Sequence, residues 1–298
     1  LLENKKTAEP GIFAAFAAGD RSWADKLEST RAELIRLNRT FESLGLRQDA
    51  ADDFVNERMD GVKSCLRNLM QLRSFGHFHR EDYLPAAREL LSSVGEAHSA
   101  FNSTLILREH GVNAVFVDLS GWKDQETGTM EETILHHIQG LDFSQCMPIV
   151  TGYAKCAEGV MAKFDRGYSE ITFSKLAVVT QAREGVIHKE FHLSTGDPKL
   201  IGKDKVRTIG HTNFDIADQL ADMAMEAIHP KASKAMELNN IPIRVANAFD
   251  PGNPGTLISR NYVSPNPRVD MICGRRDLFA VEVFDPEMVG ESGYDFRG

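Results

Sequence analysis

The 298-residue chain is 42% hydrophobic and 26% charged, with a formal net charge of -9, enough apolar material for one sizeable core and part of a second domain. That acidity excludes a protein that tracks nucleic-acid phosphate, which needs a basic surface. No apolar run approaches the roughly 20 residues a membrane span requires, so no membrane partner is expected. Cys65, Cys146, Cys156 and Cys273 form no CxxC pair; reduced structural thiols in a cytoplasmic protein are expected, with disulfides or metal as the alternative. The start, Leu1-Leu2-Glu3-Asn4-Lys5-Lys6, is neither a signal peptide nor an initiator methionine, which reads as an internal piece of a longer chain.

Residues 22–111 read as helical, with Leu27, Leu34, Ile35 and Leu37 near helical spacing, and about three or four helices are expected there. Pro85 suits the first turn of a helix through Arg88, Leu90 and Leu91. Gly95 should break that helix, and Glu96 should open another that ends near Gly111. The pattern then changes to strands over 112–117, 148–153, 185–191 and 241–247, alternating with helices over 129–138, 170–184, 214–228 and 231–238. Such alternation predicts a mostly parallel sheet covered on both faces. Residues 269–273 and 278–284 read as two further strands, and 285–290 as the start of a helix.

Within this order, Phe164-Asp165-Arg166-Gly167-Tyr168-Ser169-Glu170 stands out. Arg166 offers a planar fork of donors for a carboxylate or phosphate. Gly167 permits a turn that a side chain would obstruct. Ser169 can cap a helix opening at Glu170 and leave its first amides facing an anion. A plain helix start is the alternative.

Other candidates are weaker. His77 and His79 would share one face of an extended segment, yet no third metal ligand accompanies them, and a solvated turn is expected. His136 and His137 are adjacent in a helix and point apart. His229 before Pro230 reads as a structural cap at a position that closes a helix. Leu220, Met223 and Met225 read as core, and Asp118, Asp124 and Glu126 as a solvated acidic loop after a strand.

Met147–Val150 leading into Thr151-Gly152-Tyr153, the 164–170 segment, Gly196-Asp197-Pro198-Lys199, Ile228-His229-Pro230, Ile241-Pro242-Ile243-Arg244-Val245-Ala246-Asn247 and Pro254-Gly255-Thr256-Leu257-Ile258 resemble, in order and spacing, the aspartokinases of the amino acid kinase superfamily. Ser93-Val94-Gly95-Glu96 resembles that family's Gly-Glu substrate element, which sits at the start of a helix. The resemblance implies an α/β fold, a carbamate-kinase-like three-layer αβα sandwich. It places a kinase domain over 1–262 and the beginning of an ACT regulatory domain over 263–298.

It also implies an activity: ATP-dependent phosphorylation of the aspartate side-chain carboxylate to 4-phospho-L-aspartate, opening the aspartate-family pathways to lysine, threonine, methionine or ectoine. Arg166 would grip a substrate carboxylate and Glu96 the ammonium, with Ser169 beside the substrate and Glu170, where most relatives have aspartate, orienting a catalytic lysine. The implied cofactors are ATP and Mg2+, the metal riding on the nucleotide phosphates and not in a protein cage. A cytoplasmic homodimer is the implied assembly.

The nucleotide segment departs from the family. Most relatives read Thr-Asp-Val-Asp-Gly-Val-Tyr-Thr-Thr-Asp-Pro-Arg where this chain has His188-Lys189-Glu190-Phe191-His192-Leu193-Ser194-Thr195-Gly196-Asp197-Pro198-Lys199. His188, Lys189, Ser194, Asp197, Lys199 and His229 are the nucleotide-binding candidates that remain, and Glu226 replaces a family lysine. This divergence resembles the subgroup linked to ectoine synthesis. The family's Lys-Phe-Gly-Gly-Thr-Ser loop has no counterpart in these residues, so the 298 residues alone are expected not to catalyse. Two alternatives stay open: another kinase of the superfamily, and a catalytically silent aspartate-sensing protein.

Overall fold

The computed structural model describes residues 10–125, 128–164, 167–222 and 228–272. The chain opens with four helices: α1 (Ile12–Ala18), α2 (Trp23–Thr40), α3 (Gln48–Arg73) and α4 (Arg80–Glu109), with a 3-10 turn Glu42–Leu44 between α2 and α3. On α3 the buried residues Val55, Met59, Val62 and Leu66 recur every three or four positions. They form one apolar stripe against Leu27 of α2 and Leu91 and Val94 of α4. Each such side chain contributes about 1.5–3 kcal/mol by leaving water.

Helix α4 corrects two expectations. It begins ahead of Pro85, where the His79 N–H donates to Asp82 Oδ2 at 2.7 Å, and it runs unbroken through Gly95, so Glu96 sits inside a helix and not at its start. Leu91 and Val94 before the glycine and Ala97 and Ala100 after it are all buried, and that packing on both sides outweighs the glycine's penalty of about 1 kcal/mol. A Cβ at Gly95 would meet nothing within 4 Å. Gly95→Ala is therefore expected to raise stability by about 0.5–1 kcal/mol in urea unfolding; a loss of stability would mean the helix is interrupted there.

Strands and helices then alternate: β1 (Ala114–Val117), α5 (Met130–Ile138), β2 (Met147–Val150), α6 (Val160–Lys163), α7 (Tyr168–Val179), β3 (Gly185–Lys189) and α8 (Pro198–Ile201). After a 3-10 turn come β4 (His211–Thr212), α9 (Phe214–Asp222), α10 (Pro230–Leu238), β5 (Ile243–Asn247) and β6 (Thr256–Ile258). Thr129 caps α5 by accepting from the Glu132 N–H at 3.2 Å while Glu132 Oε2 accepts from the Thr129 N–H at 2.8 Å.

Among the described residues the strands pair in two groups and not in one continuous sheet: β1 with β2, and β3-β5-β6-β4. Every pairing is parallel except β5 with β6. The short strands β4 and β6 went unread because two or three residues show no alternation. Both groups share one core, in which Val117, Ile134, Tyr153, Met236, Ile243 and Ile258 are buried together. Helix α4 lies against β1 and β2, and α7 against β3. The strand expected over 269–273 is absent from 269–272, where Ile272 instead donates its N–H to the Thr195 carbonyl at 3.2 Å. The elements expected over 278–290 lie outside the described residues, as do Glu126, Arg166, Met223, Met225, Glu226 and Cys273. No helix among the described residues is long and apolar enough to cross a membrane.

Candidate functional site

At the carboxyl ends of β1 and β2 the two departing turns are locked together by buried Thr151. Its hydroxyl accepts from the Leu119 N–H at 3.0 Å and donates to the Tyr153 carbonyl at 2.8 Å. Gly152 follows, at a position where close approach demands glycine: a Cβ would stand 2.4 Å from Glu96 Oε2 and 3.1 Å from Ser169 Cβ. Glu96 reaches this turn from α4, half-buried, and its Oε1 accepts from the Ser169 hydroxyl at 3.0 Å.

Ser169 belongs to the first turn of α7, and the role expected for it changes. The helix opens one residue after Gly167, which takes the left-handed conformation at φ 74°, and no side chain caps it. Ser169 therefore lies inside the helix and spends its hydroxyl on Glu96, five elements earlier in the chain. Glu170, next along, turns to the other side. Its Oε1 accepts from Lys189 Nζ at 2.9 Å, and its Oε2 accepts from the His229 backbone N–H. His229 in turn caps the start of α10, its Nδ1 accepting from the Lys231 N–H at 3.2 Å. It also packs on Gly167, where a Cβ would stand 2.6 Å from His229 Cδ2.

The first turn of α7 thus joins two groups of side chains. Glu96 and Ser169 lie beside the β2 turn, and Glu170, Lys189 and the start of α10 lie beside β3. Arg166, two residues before the helix, lies outside the described residues. The remaining nucleotide candidates scatter. His188 is exposed, on the face of β3 opposite Lys189 by strand alternation. Asp197 precedes α8, in which Lys199 stands, and Ser194 donates its hydroxyl to the Gly196 carbonyl at 2.9 Å.

Ser194 also lines a cavity of about 510 Å³ beyond the carboxyl ends of β3 and β5, together with Glu190, Phe191, His192, Val206, Thr208, Asn247 and Phe249. Its size is that of a small-molecule pocket. Parallel strands direct ligands to this edge. Apart from Ser194, the sequence reading missed these residues. One signal was available, two aromatic residues just past strand ends: Phe191 is 43% exposed and Phe249 80%, exposures that suggest ligand contact.

Of the acidic loop read as solvated, the two described carboxylates, Asp118 and Asp124, are largely covered. Asp118 pairs with buried Arg58, and His137 Nε2 approaches Asp124 Oδ2 at 4.0 Å, with only 20% of each acidic side chain exposed. His77 and His79 lie in an exposed turn. Among the described residues, no group of three or more His, Cys, Asp or Glu could hold a metal ion.

The model of the amino acid kinase family matches residues 16–247. Among curated proteins, the aspartate kinase Ask_Ect of Stutzerimonas stutzeri (strain A1501) is 49% identical over all of this chain and 63% of its own length. The aspartokinase of Candida albicans is 27% identical over 82% of this chain and 46% of its own. The chain therefore spans less than two thirds of these relatives. Among solved structures, E. coli aspartokinase III in complex with aspartate and ADP superposes with a TM-score of 0.60 at 19% identity, over 85% of this chain and 56% of that one. Clostridium acetobutylicum aspartate kinase gives 0.55 at 15% identity, over 87% of this chain and 54% of its own. At these identities the superpositions establish the fold.

Proposed function

The chain belongs to the amino acid kinase family, and on that premise we propose that the protein transfers the γ-phosphoryl group of MgATP to the side-chain carboxylate of L-aspartate. The acceptor is already an anion, so positioning and charge neutralisation matter more than a strong base. Glu96 opposes the substrate ammonium, Ser169 holds the substrate beside it, and Arg166 takes a carboxylate of aspartate. On the other side of the α7 turn, Glu170 aims the Lys189 ammonium toward the transferring phosphoryl group.

The cavity between Phe191 and Phe249 takes the base, with aromatic faces in place of the family's lost Thr-Asp pair. Magnesium enters on the nucleotide phosphates, whose charge it neutralises. Residues 263–298 begin an ACT domain in this reading, and the working protein is a cytoplasmic homodimer whose sequence places it with the ectoine-linked subgroup.

The observation that carries the reading is the 3.0 Å contact of Ser169 with Glu96, which joins two segments 73 residues apart at the carboxyl edge of the strands. The test is ATP-dependent hydroxamate formation by the full-length protein with aspartate or glutamate as acceptor. One methylene of mismatch should favour aspartate about 10- to 200-fold in kcat/KM; a preference for glutamate refutes the assignment. A silent aspartate sensor would bind aspartate in calorimetric titration and ignore ATP analogues.

A further inference from the structure

Seven residues before Glu96, and therefore on nearly the same face of α4, Glu89 carries a second carboxylate into the same neighbourhood. Its Oε2 accepts from the Tyr153 hydroxyl, and its Oε1 accepts from the Met161 N–H at 2.7 Å, in the first turn of α6. Gly159, just ahead of that turn at φ 78°, brings the backbone so close that a Cβ would stand 2.8 Å from Glu89 Oε1. Burial first, and then the Glu89 carboxylate, push the Tyr153 hydroxyl well above its ordinary range, so it stays protonated and donates.

Tyr153 is also bound on its other side. Its ring meets the Tyr168 ring edge-on, with centroids 6.0 Å apart at 72°. Tyr168 is the first residue of α7, and Ser169 after it is the one that reaches Glu96. Gly152, beside Tyr153, is the residue lying against Glu96. Of two carboxylates on one helix, Glu89 thus holds Tyr153 and Glu96 lies against Gly152, consecutive residues of the turn after β2, and the same turn packs on the start of α7.

We propose that Glu89 is a positioning residue for the aspartate half of the site. By tying Tyr153 and the α6 amide to α4, it fixes the turn after β2 and, through Tyr153 against Tyr168, the first turn of α7 that presents Ser169 to Glu96. The proposal rests on the reading that this pocket takes aspartate. Glu89 itself spends both oxygens on protein donors, so its effect reaches the substrate through Tyr153 and Tyr168.

The test uses the full-length protein as wild type, Glu89→Ala, Glu89→Gln, Tyr153→Phe and Glu89→Ala/Tyr153→Phe. KM is measured separately for aspartate and ATP, alongside calorimetric titration with aspartate and thermal unfolding. Glu89→Ala should raise KM and Kd for aspartate about tenfold, the scale of a lost hydrogen bond to a charged group. KM for ATP and kcat should stay within about twofold. Glu89→Gln keeps one acceptor oxygen and should fall between wild type and Glu89→Ala. The double variant should be no worse than the worse single one, because both break the same link.

A Glu89→Ala protein that melts earlier but keeps its aspartate KM, or that loses aspartate and ATP affinity alike, overturns the proposal. Should that variant fail to fold, Tyr153→Phe decides alone: it removes one hydroxyl, and an unchanged aspartate KM overturns the proposal. Wild type that binds no aspartate overturns it together with the reading beneath it. Wild type that binds aspartate with variants indistinguishable from it overturns this proposal only.

Discussion

Replacing Glu96 by alanine in the full-length protein is expected to lower kcat/KM for aspartate by between about thirtyfold and a few thousandfold while leaving KM for ATP within about twofold. The range follows from truncating one partner of a partly buried charged contact, which costs about 2–5 kcal/mol, at about 1.4 kcal/mol per tenfold. Two losses combine. The substrate ammonium loses its opposing charge, and the Ser169 hydroxyl loses the acceptor it holds at 3.0 Å. Ser169→Ala keeps the Glu96 charge, removes the second together with the hydroxyl's own hold on the substrate, and should cost about tenfold. Glu96→Ala with an aspartate KM within twofold of wild type would show that the ammonium is bound elsewhere and would sink the site assignment.

The largest expected loss of stability comes from Arg58→Met, at about 3 kcal/mol or more in urea unfolding. Arg58 is a residue of α3 with only 7% of its side chain exposed, and it bonds Asp118 past the end of β1 and Ser120 Oγ at 3.3 Å. Its guanidinium lies between two rings, 4.6 Å from the Phe54 centroid and 4.4 Å from that of Trp122. Methionine keeps much of the volume but strands the Asp118 carboxylate, four-fifths covered and without its cation. Asp118→Asn in the Arg58→Met background should recover part of the loss, because the uncompensated charge is then gone. A decrease below about 1 kcal/mol for the single variant would mean that water already satisfies Asp118.

These two residues show where sequence reading succeeds and where it stops. Ser93-Val94-Gly95-Glu96 marked Glu96 as a candidate for the substrate pocket, and the structure sets it against Gly152 and Ser169, yet its place in the helix was misjudged. Glycine's local preference suggested a break, whereas the packing of Leu91, Val94 and Ala97 keeps α4 continuous. Asp118 was read as solvated because its cation lies 60 positions earlier in the chain. Ser169 looked like a cap for the same reason, its acceptor being on another helix.

By itself the sequence determined the alternation of short apolar strands with amphipathic helices from β1 to β5, the start of α5 at Thr129, and the family, since each is encoded in spacings of a few residues or in ordered motifs. Tertiary structure alone decided the grouping of the strands, the unbroken course of α4, the division of labour between Ser169 and Glu170, and the aromatic cavity beyond β3 and β5. The physical reason is range. Periodicity and capping act within a few residues of the chain, whereas a carboxylate finds its donor, and a glycine its neighbour, only after folding has brought distant segments within about 3 Å.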